Sequence, residues 1–311
     1  MKPFALVTDS GCALTADLRS RFGIDGFVRG NVTFPDGHTE KADLDWEKRT
    51  PEEFFSSLTG KKFILKTSCP NIDEIAALFL PFVEEGREVL MVTVSHALSG
   101  TYNFAVKAAE KVMSEHPGSK IRVVDSLRYS TAQGLLLVRA SALREQGKSC
   151  DEAADWIEQN KNCFHQMGIM DDLFFLARTG RVNKAAAFMG SLVGVEPMAD
   201  FSPNGLSAVL AKGKGKKKSL DAVVSYFEKL AIDPKGQIVF LAHSLREKEA
   251  NYLKKTLEER VGPKEIILTS VDMFCGANIG PGLVALFFYG QPITDDLSKE
   301  KEILAECLQK K

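Results

Sequence analysis

Four short apolar runs, separated by segments of helical periodicity, restrict the fold of this chain more than any other feature. They are FALVTD (4–9), FILKTS (63–68), VLMVTVS (89–95) and IRVVDS (121–126), and each is rich in β-branched or bulky apolar residues and ends in Asp or Ser. Strands buried on both faces of a parallel sheet have this nearly continuous apolar character. We therefore predict that the four runs lie in one parallel sheet.

The segments between the runs carry helix start signals. TPEEFFSSL (50–58) opens with Thr50 and Glu53 in capping-box spacing and with Pro51 at the first helical position. A second capping box, Ser149 to Glu152, opens a helix that is predicted to end near residue 161. Because strands alternate with helices, we expect an α/β fold with an N-terminal three-layer α/β/α domain over residues 1–160.

The second half of the chain has a different pattern. VEPMADFSP (195–203) and LSAVLAKG (206–213) flank Asn204-Gly205, which is a strong hairpin signal. GQIVFLAHS (236–244) is followed by a helical segment, as in a crossover unit. Hairpin and crossover pairing together predict a C-terminal two-layer α/β domain with a mixed sheet over residues 161–290, and residues 291–311 are expected to add a terminal helix.

Composition excludes several classes of function. Forty basic and forty-one acidic residues give a net charge of -1 and a pI near 6.6, which argues against broad attraction to nucleic acid or to an anionic membrane. No apolar run approaches the roughly 20 residues of a membrane span. The six cysteines form no CxxC pair, so we expect reduced thiols, no metal, no cofactor and a cytoplasmic location.

Polar residues gather where the predicted strands end. Thr8 to Gly11, Thr67 to Pro70, Ser95-His96, Ser99 to Thr101 and Asp125-Ser126 all stand at strand-to-helix junctions. Ligands of open parallel sheets bind beyond the carboxyl ends of the strands, where helix N-termini favour anions. Each residue alone could equally be an ordinary N-cap, but together they predict an anion-binding edge.

A catalytic Ser95–His96 pair is the alternative interpretation of this edge. Adjacent strand residues point to opposite faces, so His96 could reach Ser95 only across a sharp bend. The chain contains no GxSxG nucleophile elbow. The pattern therefore favours a binding edge over a hydrolase.

Six motifs follow one another along the chain: VTDSGCALTADL (7–18), KTSCPN (66–71), VTVSHALSGTYNFA (92–105), VDSLRYSTAQG (124–134), LARTGRVNKAAAFMGSLVGVEPM (176–198) and GANIGPG (276–282). In this order they resemble the DegV family of bacterial fatty-acid-binding proteins, over roughly residues 4 to 290. The resemblance implies an N-terminal α/β/α domain and a C-terminal mixed-sheet domain that buries the fatty-acid tail.

The resemblance also implies site residues. Thr67 matches the threonine of the family's TSxPS pattern and Ser95 the first serine of SSxLSGT, and such residues hydrogen-bond the fatty-acid carboxylate. His96 replaces the second serine of that pattern, and Asn278 stands where GxHxGPG has histidine. Arg181 matches an arginine in a glycine turn, which predicts a role at the pocket mouth or in handover to a partner.

The resulting prediction is a non-catalytic carrier of a long-chain fatty acid. Some family members present the acid to a separate kinase subunit, so a kinase partner is implied as well. Two rivals stay open at this point. One is an acyl hydrolase or transferase that uses Ser95 or His96, and the other is a scaffold or regulatory protein whose pocket holds another ligand.

Overall fold

A computed structural model describes residues 3–60, 65–171, 173–183 and 194–309. These residues form two compact units. Unit 1 comprises residues 3–47, 65–161 and 272–275, and unit 2 comprises the described residues of 48–60, 162–271 and 276–309. The sequence predicts a single domain boundary near residue 160. In the structure, residues 48–60 belong to unit 2 although unit 1 flanks them in the chain, and residues 272–275 belong to unit 1 although unit 2 flanks them.

Strands and helices alternate through most of the described chain. The strands are β1 (Ala5–Asp9), β2 (Gly26–Val28), β3 (Asn31–Thr33), β4 (Thr39–Lys41), β5 (Lys66–Ser68), β6 (Val89–Thr93), β7 (Ile121–Asp125), β8 (Phe164–Ile169), β9 (Val182–Asn183), β10 (Val195–Phe201), β11 (Ser207–Lys214), β12 (Ile238–His243), β13 (Glu265–Ser270) and β14 (Val284–Tyr289). The helices are α1 (Ala16–Arg21), α2 (Pro51–Leu58), α3 (Ile72–Glu84), α4 (Thr101–Glu115), α5 (Thr131–Glu145), α6 (Cys150–Asn160), α7 (Phe174–Thr179), α8 (Lys216–Leu230), α9 (Glu247–Arg260), α10 (Met273–Ile279) and α11 (Ser298–Gln309).

Unit 1 is built on a parallel sheet of strand order β2-β1-β6-β7. Alternate strand residues face opposite sides. Ala5, Val7, Val89 and Met91 belong to one apolar cluster with residues of α3 and α4, and α5 and α6 also pack on strands of this sheet. Helices on both faces explain why the strands are apolar throughout, and the predicted three-layer α/β/α arrangement is confirmed.

The run FILKTS does not join the parallel sheet, and that prediction is wrong. Its described part, β5, pairs antiparallel with β3 in a separate sheet of order β4-β3-β5. Lys66 and Ser68 of β5 are exposed and Thr67 is half-buried. A strand with two polar, solvent-facing positions has no place between two helix layers, and only Phe63, Ile64 and Leu65 made the run look buried.

Unit 2 contains a seven-stranded sheet of order β13-β12-β14-β8-β10-β11-β9. β12 and β13 are parallel, whereas β14 is antiparallel to both β12 and β8. β10 and β11 form the hairpin predicted around Asn204-Gly205. Helices α8 and α9 pack on the strands and on each other, and the predicted mixed-sheet α/β unit is confirmed.

A charged network lies in the interior of unit 2. Asp200 and His165 are fully buried, and Nδ1 of His165 lies 2.6 Å from Oδ2 of Asp200. The same carboxylate oxygen accepts from the Tyr226 hydroxyl at 2.9 Å, while Oδ1 accepts from the backbone N–H groups of Gln166 and Phe201. With four donors around it, the Asp200 carboxylate is fully satisfied.

The segment after β14 is tied to this interior. Nε2 of His165 lies 2.7 Å from the Gln291 carbonyl oxygen, and the buried Glu300 accepts from the backbone N–H and the hydroxyl of Thr294. The predicted terminal helix is α11, which packs on α8. No helix within the described ranges is long and apolar enough to cross a bilayer.

Candidate functional site

The loop after β1 is fastened to the end of β6 by the carboxylate of Asp9. Oδ1 accepts from the Gly11 N–H at 2.6 Å and Oδ2 from the Val94 N–H at 2.8 Å. Burial raises the pKa of Asp9 to about 6, although those two hydrogen bonds act in the opposite direction. Both oxygens are occupied by backbone donors, so Asp9 shapes the edge of the sheet.

Ser95 organises the turn that follows β6. Its side chain is fully buried, its hydroxyl oxygen accepts from the Ala97 N–H at 3.3 Å, and its carbonyl accepts from the N–H groups of Leu98 and Ser99. Its own N–H donates to the carbonyl of Arg128 at 2.8 Å. A hydroxyl that accepts one hydrogen bond still has its proton to donate, so Ser95 can both hold the turn and face an acceptor.

The same turn meets the loop after β5. Ser99 Oγ lies 2.8 Å from Thr101 Oγ1 and accepts from the Thr101 N–H. A Cβ atom placed on Gly100 would lie 3.7 Å from Sγ of Cys69, and Thr67 stands two residues earlier, opposite Val32 of β3. We call the turn 95–101 together with residues 67–70, the end of β5 and the loop after it, the hydroxyl cradle. The N-cap residue of helix α4, Gly100, has no side chain to cap the helix, so the first-turn amides after Thr101 add positive potential at this cradle.

His96 contacts an aspartate and not Ser95. Its Nδ1 lies 2.5 Å from Oδ2 of Asp125 at the end of the neighbouring strand β7, and its backbone N–H donates to Oδ1 at 3.2 Å. A Ser95–His96 catalytic pair therefore has no geometric basis in this structure. The sequence analysis places both His96 and Asp125 at this edge but does not pair them.

Sequence reasoning missed Arg128, which is fully buried. Its Nη1 donates to the Leu127 carbonyl at 2.7 Å, and its N–H and carbonyl both bond to the Ser126 hydroxyl. Since its carbonyl also receives the Ser95 N–H, Arg128 brings a fixed cation to the strand ends beside the cradle. A single arginine inside VDSLRYSTAQG, a motif otherwise without basic residues, was the available signal.

Asp272 is the second residue that sequence reasoning missed. Its Oδ1 accepts from the N–H groups of Phe274 and Cys275, whereas Oδ2 is buried without a hydrogen-bond partner among the described residues. Burial raises its pKa to about 6. The thiol of Cys275 donates to the Gly11 carbonyl at 3.7 Å, so residues 272–275 close over the first loop of unit 1.

In unit 2, Arg181 follows the left-handed Gly180 that ends α7, as the glycine turn predicts. Its N–H donates to the Leu176 carbonyl and its guanidinium to the Thr179 carbonyl. Partial burial lowers the pKa of Arg181. The side chain is therefore folded onto the end of its own helix.

Asn278 is half-buried on α10, and its glycine-rich loop packs closely against neighbouring side chains. A Cβ on Gly280 would lie 2.2 Å from the ring of Phe175 in α7, and one on Gly282 would lie 2.8 Å from Asp171. Both glycines have positive φ, a conformation that side chains resist. These glycines thus closely approach side chains of the protein itself, and this approach places the Asn278 loop beside α7, the helix that precedes Arg181.

The motif 176–198 contains the apolar run 185–195, which the family resemblance would assign to burial of the acyl tail, and this run lies almost wholly outside the described residues. A cleft of about 810 Å³ in unit 2 is lined by His243, Ser270, Arg246 and three glutamates among other residues. Its charged lining is unsuited to an acyl tail.

Comparisons with known proteins agree with these motifs. Residues 3–291 match the family model described as "Uncharacterised protein, DegV family". A DegV domain-containing protein of Clostridium perfringens is 33% identical over 290 residues, which cover 93% of this chain and 98% of that protein.

Solved structures share the fold. A DegV family protein from Thermus thermophilus, described by its fatty acid binding, has 27% identity and a TM-score of 0.81, with coverage of 93% of this chain and 100% of that one. The Streptococcus pneumoniae Fatty Acid Kinase (Fak) B3 protein loaded with linoleic acid has 21% identity and a TM-score of 0.76, covering 93% and 100%. Because the family model spans almost the whole chain and a relative of matching length shares a third of its residues, the chain belongs to the DegV family.

Proposed function

We propose that this protein binds a long-chain fatty acid and that the hydroxyl cradle of unit 1 receives the carboxylate. The observation that carries the proposal is the cradle itself, which gathers the Ser95 turn, the Thr67 loop and the uncapped start of α4. The relative from Thermus thermophilus, which is described by fatty acid binding, supports it. His96 and Asn278 stay predicted head-group residues.

Affinity and orientation have different sources in this proposal. Each buried methylene contributes roughly 0.8 kcal/mol, so a long acyl tail supplies most of the binding free energy. Neutral hydroxyl donors and helix amides supply less, but they fix where the carboxylate sits. We propose burial of the tail in unit 2 from the resemblance to the DegV family.

The first expected result is that purified protein retains a long-chain fatty acid. Native mass spectrometry before and after solvent extraction will measure the bound mass, and labelled fatty acids will test rebinding. An unrelated bound mass would instead support a scaffold with another ligand. No acyl chain after extraction, together with no rebinding, would refute the carrier proposal.

The second prediction concerns the hydroxyl groups of the cradle. Thr67→Val and Ser95→Ala each remove one hydrogen bond to a charged group and should weaken binding by roughly 1.5–3 kcal/mol. Titration with a fluorescent fatty acid measures this, and circular dichroism checks folding, since Ser95 also holds its turn. Ser57→Ala serves as a control, because within the described ranges that hydroxyl donates to the Phe54 carbonyl of its own helix. Wild-type affinity in both cradle variants would place the carboxylate elsewhere.

We also propose that the protein presents the bound fatty acid to a kinase subunit. Arg181 is the residue proposed for the pocket mouth or for handover. Its guanidinium is a fixed cation at the end of α7, and a planar guanidinium suits recognition of carboxylate or phosphate groups on a partner.

A further inference from the structure

The proposed binding function leaves one feature of the strand ends unused, the contact between His96 and Asp125. β6 and β7 are parallel neighbours, and Thr93 lies opposite Asp125. This register brings His96, three residues beyond Thr93, over the carboxylate. Nδ1 lies 2.5 Å from Oδ2, and the N–H groups of His96 and Leu127 both donate to Oδ1.

These contacts fix the orientation of the ring. The Asp125 side chain is 9% exposed and the His96 side chain 53% exposed. Nδ1 faces a carboxylate oxygen, which can only accept, so the tautomer that fits this contact carries its proton on Nδ1 and its lone pair on Nε2. An oriented imidazole with a free Nε2 is the arrangement that a general base requires.

Charged and polar groups also lie near Asp125. Lys161 donates to the Asp125 carbonyl at 3.1 Å and pairs with Glu158. Tyr102 of α4 is partly buried, and burial together with the carboxylates of Glu158 and Asp125 raises the pKa of its phenol. Groups on α4 and at the end of α6 therefore lie near Asp125, which is nearly buried, whereas the His96 side chain stays half-exposed.

His38 is a second histidine that contacts an aspartate, and it can be compared with His96. Its Nδ1 also lies 2.5 Å from an aspartate, Asp36, but that carboxylate is 69% exposed, and Glu40 lies 3.4 Å from Nε2. Both nitrogens of His38 face acidic groups, so no lone pair is left to accept a proton. The same two residue types thus give a reactive arrangement at His96 and an unreactive one at His38.

We propose that His96, positioned by Asp125, is the general base of a hydrolytic activity towards activated acyl esters of fatty acids. Water attacks the acyl carbonyl carbon while Nε2 of His96 takes its proton. The bond from that carbon to the leaving oxygen or sulfur then breaks, and the leaving group takes a proton from the imidazolium or from solvent. The products are a free fatty acid and an alcohol, phosphate or thiol.

Water is the nucleophile in this scheme because Ser95 is not placed for that role. The Ser95 hydroxyl is buried and accepts a backbone hydrogen bond, while His96 is turned towards β7. The acyl preference rests on the proposed function, since the fatty acid produced is the ligand assigned to the adjacent cradle. Asp125 acts through His96 and is a positioning residue.

The test uses p-nitrophenyl dodecanoate and the full-length protein. The wild type is expected to hydrolyse it with saturation, and His96→Gln to lose on the order of 100-fold or more of kcat. Asp125→Asn should lower kcat with little change in KM, and the wild-type rate should fall in D2O because a proton moves in the slow step. His38→Gln is the matched control and should keep the wild-type rate.

Several outcomes would overturn the dyad: equal rates in wild type and His96→Gln, an equal loss in His38→Gln, or no effect of D2O. Fatty-acid binding by the wild type is measured separately. Binding without hydrolysis would reject the dyad and leave the proposed function standing. Hydrolysis of the dodecanoate ester without binding of free fatty acids would support the dyad and reject the proposed function.

Discussion

Asp272→Asn is expected to stabilise the protein by about 3 kcal/mol at neutral pH and hardly at all in acid. Burial raises the pKa of Asp272 from 3.8 to about 6, and each pKa unit corresponds to about 1.4 kcal/mol. The carboxylate is fully buried, and its Oδ2 has no partner among the described residues. Asparagine keeps the acceptor for Phe274 and Cys275 but carries no charge to desolvate.

The sign of the pH dependence follows from linkage. Below pH 3.8 the carboxyl is protonated in both the folded and the unfolded states, so its ionisation has no effect on stability. Between that value and about 6 the unfolded state ionises first, and the wild type loses stability as pH rises. Above about 6 both states are ionised and the full cost of burying the charge remains.

Urea denaturation at about pH 4 and about pH 8 will measure this difference. The two tryptophans, Trp46 and Trp156, both lie in unit 1, so their fluorescence reports the unit that contains Asp272. Asp9→Asn is the comparison variant. Burial raises the pKa of Asp9 to about 6 as well, but both of its oxygens accept backbone N–H groups, so the amide loses one hydrogen bond and the net gain should be smaller than for Asp272→Asn. An equal gain for Asp272→Asn at both pH values would show that ionisation is not its cause.

The second large effect is expected in unit 2. Asp200→Ala should lower the free energy of unfolding by about 3–5 kcal/mol, the usual cost of leaving one partner of a buried ion pair alone. The two ring nitrogens of His165 face the Asp200 carboxylate and the Gln291 carbonyl oxygen. Without the carboxylate, the imidazole, the Tyr226 hydroxyl and two backbone N–H groups lose their acceptor.

Unit 2 contains neither tryptophan, so amide hydrogen exchange of β8 and β10 is the suitable measurement. Asp221→Ala provides the control, since Asp221 accepts from Tyr252 at 2.6 Å near the surface of the same unit. It should cost roughly 1 kcal/mol or less. Equal losses in the two variants would mean that burial of the Asp200 network adds nothing to stability.

Local patterns predicted most of the architecture because they act over short distances. The capping boxes at Thr50 and Ser149 form as predicted, and Asn204-Gly205 turns the β10–β11 hairpin. β2 escaped prediction because GFV is too short to show periodicity. FILKTS was wrongly assigned to the parallel sheet because its first residues are apolar, although the polar residues after them form β5.

The candidate site was only partly predictable, for a related reason. Hydroxyls at strand ends can be read from sequence, since parallel strands deliver their ends to one edge. The pairing of His96 with Asp125 depends on the β6–β7 register, which no local pattern encodes. Asp272 is 263 residues away from Asp9 in the chain, so nothing near it in sequence reveals that it becomes a buried acid of unit 1.

The interleaving of the two units has a consequence for biosynthesis. The Cys275 thiol meets the Gly11 carbonyl across 264 positions of the chain, and residues 162–271 are translated before that segment leaves the ribosome. Domains often fold one after another during synthesis, but here the first unit waits for its last four residues until most of the second has emerged. Nascent unit 1 therefore lacks the contact between Cys275 and the Gly11 carbonyl until residues 272–275 emerge, even after β1, β6 and β7 have paired.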